Sequence, residues 1–431
     1  MLFALLACSD PEPPAPSPTW TAETRTQAIA AGREVLGRHE CRRCHVIDEL
    51  PDPPREDHCT SCHVWLDGLE PGSEHYTSIS EKYGEDVLIR YQTNIEHLKV
   101  TPDLSGLGLR VRPDWITAFV QDPEDLRPHL EESMIRTNLS EAEALAVGRY
   151  FAAVAEVEYA PDFKTPPRPD MDRGAALFEA KGCGTCHWVG NLGNPPENPV
   201  SALAPNLRYV RERMTPTDAA NFIRDPQSMK PGTLMPSLGL SPSEALLIRD
   251  WLWHVDPALG PVPEFISPSP PPASPVAWEE VNERVFGRIC VHCHMNDHEK
   301  DPGPGNEGGL GYEGVDLSMR TYAEFRRGWV RDGERVPLSQ GLIDAMLRRH
   351  HEAARDQVPA GQDHAREAYA GLPGMPLGLP AIPLEDIQLV RDWIAGGCPG
   401  PTEQTGVEGV TDGYLVPDGP TDLPLGCGLI E

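Results

Sequence analysis

The stretch G-C-G-T-C-H-W at 182–188 sets two cysteines three residues apart, with a histidine directly behind the second. The same order recurs as C-R-R-C-H at 41–45, C-T-S-C-H at 59–63 and C-V-H-C-H at 290–294. Outward from 182–188 the flanks repeat too. Gly174, Phe178 and Cys183 are spaced as Gly32, Leu36 and Cys41 are. Downstream, A-P-N-L (Pro205, Leu207) leads to Phe222 and Asp225-Pro226, and T-P-D-L (Pro102, Leu104) leads to Phe119 and Asp122-Pro123 at the same offsets. M-P-S-L-G-L-S-P-S-E-A-L from Met235 aligns without a gap on M-I-R-T-N-L-S-E-A-E-A-L from Met134, and the aromatics Trp251 and Tyr150 follow at equal distance. A third copy shares the ends only: V-F-G-R-I before Cys290, and G-M-P-L-G-L-P, holding Met375, before R-D-W-I at Trp393.

The flanks predict helices. A-L-A-V-G-R-Y-F-A-A-V (144–154) and A-L-L-I-R-D-W-L-W-H-V (245–255) place apolar residues three and four apart. Ser140 and Ser241, each with a glutamate three residues on, are placed to cap them. D-V-L-I-R-Y-Q-T-N-I-E-H-L (86–98) reads as a helix that His97 ends. Strand-like alternation is nearly absent, so the expected fold is all-α with long irregular loops. Proline-rich breaks at 10–19, 160–170 and 260–275 divide the chain. They predict a tether over 1–24, helical domains at 25–160, 161–260 and 276–400, a linker at 261–275 and an acidic tail at 401–431.

The net charge of −29 repels nucleic acid and anionic lipid and favours basic partners. Residues 161–262 are the exception, with 10 basic against 11 acidic side chains. No run reaches the ~18 apolar residues of a transmembrane helix. The opening M-L-F-A-L-L-A-C-S-D reads as the end of a lipoprotein signal with Cys8 as the lipidated thiol. That reading carries the chain to the periplasmic side of a bacterial membrane, held by a lipid anchor only. Cys398 and Cys427 are a candidate disulfide, which suits an oxidising compartment.

A CxxC pair alone serves zinc, a redox dithiol or a disulfide. A histidine behind each pair narrows the choice, because C-x-x-C-H is the attachment signature of haem c. Two thiols at this spacing meet both vinyl groups, and the next imidazole lies under the iron. Cys41/Cys44 and Cys59/Cys62 also have zinc-ribbon spacing. Zinc would not ask for the histidines, and Cys183 and Cys290 open isolated pairs. The expected cofactors are four covalent haems, on Cys41 and Cys44, Cys59 and Cys62, Cys183 and Cys186, and Cys290 and Cys293. Their axial histidines are His45, His63, His187 and His294. Met134, Met235 and Met375 fill one repeated slot and are expected as second ligands, whereas Met214, Met229, Met319 and Met346 read as core residues. The first domain has two motifs but one such methionine. Met134 goes with His45, and the iron above His63 is left to His97 or His75, or keeps an open position.

These residues resemble the class I cytochrome c family across all three domains. The resemblance implies a helix before each motif, at 28–41, 171–183 and 279–290. It further implies that the Pro102 and Pro205 carbonyls accept a hydrogen bond from the proximal histidine. Two departures stand out: Ile135 replaces the proline after Met134, and the motif at 59–63 has no family counterpart. The expectation is a tetrahaem carrier, not an enzyme, passing single electrons between redox-protein donors and acceptors. The alternatives are a dihaem peroxidase-like or other multihaem oxidoreductase with an open iron, and the cytochrome subunit of a larger dehydrogenase complex.

Overall fold

A computed structural model describes residues 20–55, 58–127, 129–130, 132–168, 170–190, 199–257, 276–294, 317, 319, 322–331, 334–337, 339–355 and 373–401. The first segment holds α1 (Ala22–Arg38), α2 (Cys59–Asp67), α3 (Glu74–Tyr83), α4 (Glu85–Asn94), α5 (Pro113–Gln121) and α6 (Glu141–Ala155). The second holds α7 (Met171–Ala180), the short α8 (Pro199–Ala202) and α9 (Val210–Arg213), then α10 (Pro216–Arg224), α11 (Pro226–Met229) and α12 (Pro242–His254). The third holds α13 (Trp278–Val281), α14 (Tyr322–Arg327), α15 (Ser339–Arg355) and α16 (Leu384–Ala395). Among its described residues it also holds a small antiparallel pair, β1 (Trp329–Arg331) with β2 (Glu334–Val336). The fold is all-α in class.

Local chemistry explains where the helices start. Ser140 and Ser241 form the capping boxes their sequences predict, with Glu143 and Glu244 reaching back to the cap amides. Thr21 does the same for α1 with Thr24. Pro113, Pro216 and Pro242 occupy the first turn of their helices, where no amide proton is needed. The predicted helix over 86–98 stops at Asn94. Leu98 sits at φ 58°, which helical backbone does not allow, so His97 lies in a loop.

Apolar side chains gather into separate clusters. Ile29, Val35, Leu36, Ile116, Tyr150 and Phe151 are among those that close the first. Val189, Val210, Ile248, Leu252 and Trp253 close the second. Trp278, Phe286, Phe325 and Trp393 head the third. The insertion carrying 59–63 has a small core of its own, Leu66, Leu69, Tyr76, Leu88 and Ile95.

In the first two segments the opening and closing helices cross at a glycine. A Cβ on Gly32 would stand 2.4 Å from Tyr150 Cβ, and one on Gly174 would stand 2.5 Å from Trp251 Cβ. Only a hydrogen in place of Cβ lets the backbones approach this closely. In the third segment Val281 holds the corresponding place and is fully buried, as is Trp393 on the closing helix. The five residues after Val281 form a π-helical turn, Asn282–Phe286.

Segments touch through backbone hydrogen bonds. Arg112 N donates to Arg213 O at 2.7 Å and Asn206 N to Leu126 O at 2.8 Å, joining the first and second. Ser133 N donates to Gly378 O at 2.7 Å, joining the first and third. Among the described residues no helix is long and apolar enough to cross a membrane. Cys398 is disulfide-bonded. Its expected partner Cys427, the lipidation candidate Cys8, the tether and the tail lie outside the described residues.

Candidate haem-attachment sites

Three motifs share one backbone device. Glu40 and Gly182 take left-handed conformations, φ 52° and 70°, and each opens a 3-10 turn, Cys41–Arg43 and Cys183–Thr185. Cys290–His292 makes the same turn. The histidine amide then returns to the first cysteine: His45 N to Cys41 O at 3.1 Å, His187 N to Cys183 O at 3.0 Å and His294 N to Cys290 O at 2.9 Å. The motif at 59–63 reaches a similar end by starting α2 outright, with His58 Nδ1 accepting from Ser61 N at 3.1 Å as the cap. Helical winding puts residues i, i+3 and i+4 on one face, which is what two thiols and an imidazole serving one planar ligand require.

Behind three of the four turns the imidazole is aimed from its Nδ1 side. His45 Nδ1 donates to Pro102 O and His187 Nδ1 to Pro205 O, both at 2.8 Å, as the resemblance implies. His63 Nδ1 donates to His97 O at 3.2 Å. This bond fixes the tautomer, with the proton on Nδ1 and the lone pair on Nε2. Burial holds all three imidazoles below their ordinary proton affinity, with the carbonyl opposing it. Burial holds His294 down to about 4. At neutral pH each imidazole is uncharged. The second strand of each holder is alike as well: Leu104 N bonds Val46 O at 2.9 Å and Leu207 N bonds Trp188 O at 2.7 Å. In the third segment, which has no proline landmark, Met319 N bonds His294 O at 2.8 Å. Met319 is nonetheless buried in the core, as Met346 is.

The structure changes the reading of His97. Its backbone carbonyl holds His63 from the Nδ1 side, the role that the two prolines play elsewhere. Its own Nδ1 lies 3.2 Å from Glu132 Oε2. His97 thus meets His63 through its backbone carbonyl, while its imidazole is turned to Glu132. His75 is exposed on α3 and meets Trp65 edge-on, with ring centroids 5.7 Å apart. Met134, Met235 and Met375 are half-buried in the loops before α6, α12 and α16. Met375 N bonds Ala345 O at 2.9 Å, and Met235 O accepts from Gln227 Nε2 at 3.3 Å.

Sequence reasoning did not foresee how the motifs meet. The Cys44 thiol hydrogen-bonds the Cys59 sulfur, which raises the first proton affinity well above the ordinary thiol range and lowers the second. Thr101 Oγ1 donates to Cys44 O and lies 3.0 Å from Thr60 Oγ1, tying the two turns together. Cys59 is also within electrostatic reach of Cys293. None of these pairings has a sequence signal, since the cysteines lie 15 and 234 positions apart.

The donor set fits haem c better than zinc. Burial pushes the thiol of Cys41 up to about 11 and of Cys290 up to about 12, and raises Cys183. Zinc binds thiolate. Among the described residues no three histidine, cysteine or carboxylate side chains are grouped as a metal site.

The family model described as Cytochrome c matches residues 171–256. That span runs from the start of α7 past the end of α12 and contains the turn that bears His187. No curated protein and no solved structure matches the chain. Over residues 171–256 the chain is therefore similar to the cytochrome c family, whose members hold haem c covalently and transfer electrons.

Proposed function

We propose that the chain is a multihaem c-type cytochrome that passes single electrons between redox proteins outside the cytoplasm. It carries four haems, one at each C-x-x-C-H. The observation that supports this best is the carbonyl that receives His45, His63 and His187 from the Nδ1 side. The family match covers only the last of these, yet the other two are built the same way.

Haem c supplies a one-electron couple, and the chain fixes where that couple sits and how readily it is reduced. The cysteine pairs hold the group, and the imidazoles, oriented by Pro102, His97 and Pro205, ligate it. Met134, Met235 and Met375 serve as second ligands, and a thioether there raises the potential relative to a second imidazole. The contact between Cys44 and Cys59, and the nearness of Cys293 to Cys59, favour a relay in which the motif at 59–63 is the junction. The joined loops of Ser133 and Gly378 bring the Met134 and Met375 segments side by side. Donor and acceptor are redox proteins with basic faces, drawn to a surface of net charge −29. Export and lipidation at Cys8 hold the carrier on the periplasmic side of a bacterial membrane.

The test is expression with the haem-attachment machinery, followed by pyridine haemochrome quantitation, intact mass and a spectroelectrochemical titration. Four haems per chain and four one-electron waves are expected. A colourless chain of unmodified mass, made in a competent host, refutes the reading.

One observation favours a second reading. With His97 behind His63 and His75 on the surface, the motif at 59–63 is the natural place for a coordination position open to a small ligand such as peroxide. A high-spin ferric signal with peroxide turnover supports that oxidoreductase; wholly low-spin spectra support the carrier.

A further inference from the structure

Arg110, Arg127, Arg213 and Lys230 crowd together where the first and second segments meet. Burial holds Arg213 down to about 10, and Arg127 and Arg110 push it the same way, against Glu124. Lys230 is lowered by burial and by Arg110 and Arg127, against Asp103. Arg110 is buried and donates to Ser105 O at 2.6 Å and Asp103 O at 3.3 Å. Arg127 Nε reaches across the junction to Leu203 O at 2.8 Å. Arg213 lies over the Trp115 ring, 5.4 Å from its centroid, and its Nε is sealed from solvent with no hydrogen-bond partner.

The acids that face this cluster act on it through space, Asp103 and Asp48 on Arg110, Asp125 on Arg127, Glu124 on Arg213 and Asp103 on Lys230. The hydrogen bonds of the three aspartates run to backbone amides. Asp103 Oδ1 accepts from Ser105 N at 2.8 Å, Asp125 Oδ1 from Arg127 N at 2.9 Å, and Asp48 Oδ2 from Gly106 N. Glu124 and Asp48 act on Arg213 and Arg110 only at range. Among the described residues no carboxylate makes an ion pair with any of the four cations. Cations gathered in a desolvated place are costly unless an anion completes them.

The position indicates which anion. The carbonyls that hold Arg110 belong to Asp103 and Ser105, just past Pro102, which holds His45. The carbonyl that holds Arg127 belongs to Leu203, two residues before Pro205, which holds His187. Haem c carries two carboxylates on one edge. We infer that Arg110, Arg127, Arg213 and Lys230 form a shared carboxylate site for the propionates of the haems on Cys41/Cys44 and Cys183/Cys186. This rests on the multihaem reading. A guanidinium matches a carboxylate with paired donors, which is the geometry that an unpartnered Arg213 offers. Sharing one cation cluster couples the two haems electrostatically across the junction.

The test uses the full-length, haem-loaded protein. Arg213→Met and Arg127→Met are each expected to keep four haems and to lower two of the four midpoint potentials together. Removing a nearby cation disfavours the reduced state, by about tenfold in each reduction equilibrium, or about 59 mV for one electron. Arg213→Lys keeps the charge and keeps both potentials. If Arg213→Met does not accumulate, Arg127→Met carries the same test from the other segment. Potentials that do not move, or only one that does, in four-haem variants overturn the shared site alone. A shift of the wild-type potentials on adding a free dicarboxylate overturns it as well, because the site is then open to exogenous anion. Wild-type protein lacking haem at 41–45 or 183–187 fails the multihaem reading itself.

Discussion

Replacing Gly32 by alanine, with Gly37→Ala in the same helix as its reference, isolates the close crossing of α1 and α6. Alanine is worth about 1 kcal/mol over glycine in a helix interior, and that gain is common to both variants. A Cβ on Gly37 meets nothing within 4 Å. A Cβ on Gly32 would lie 2.4 Å from Tyr150 Cβ and 2.9 Å from its ring carbons. Carbon atoms rest at about 3.5–4.0 Å, so the helices must part by roughly 1 Å or more. Tyr150 cannot swing aside: it is fully buried and its hydroxyl donates to Asp48 O. Overpacking of this kind costs about 1–3 kcal/mol. The propensity gain cancels between the variants, so the whole cost appears as their difference. Hydrogen exchange of α1 amides, followed by mass spectrometry on the holoprotein, reads it locally. Exchange should be roughly 5- to 150-fold faster in Gly32→Ala than in Gly37→Ala, at about 1.36 kcal/mol per tenfold. Equal protection in the two would refute the crossing.

Met235→His should lower one midpoint potential and leave the haem count unchanged, because imidazole stabilises the oxidised iron more than a thioether does; an unmoved titration removes Met235 from the ligand set. Glu143 is held down to about 2 by the Ser140 hydroxyl and amide, with help from His39. Its folded value lies below its ordinary 4.5, so its stabilisation is complete above about pH 4.5 and is lost as pH falls toward 2. The group faces solvent, so the loss is about 1 kcal/mol, the size of a helix cap, and Glu143→Gln should flatten that acid limb in denaturant titrations. Trp393 is fully buried, with ring centroids 5.1 Å from Phe325 and 5.5 Å from Trp278. Trp393→Ala should cost about 3–5 kcal/mol and abolish amide protection across 276–398. Protection lost equally over 171–256 would show that the clusters do not stand alone.

The parts of the site that follow from short-range geometry were legible in the chain. A cysteine pair with its histidine lies within five residues, and one helical turn is enough to arrange them. Ser140 and Ser241 cap their helices through contacts three residues away, so the pattern alone places them. Pro102 and Pro205 were visible because a repeated proline leaves a mark, and both carbonyls receive the histidine as the resemblance implies. The backbone role of His97 was not legible, for the complementary reason. Its imidazole suggests a ligand, while its actual part is played by a backbone carbonyl that every residue type possesses.

Sequence by itself determined the four C-x-x-C-H motifs and the all-helical class, since each is carried by residue type and local spacing. Only the tertiary structure decided that Cys44 meets Cys59 and that four cations converge beside Pro102 and Pro205. It alone also decided that the Met134 loop rests on the Met375 loop. Those outcomes depend on how separately closed cores dock. Docking is set by surface fit summed over residues far apart in the chain, and no spacing of residues encodes it.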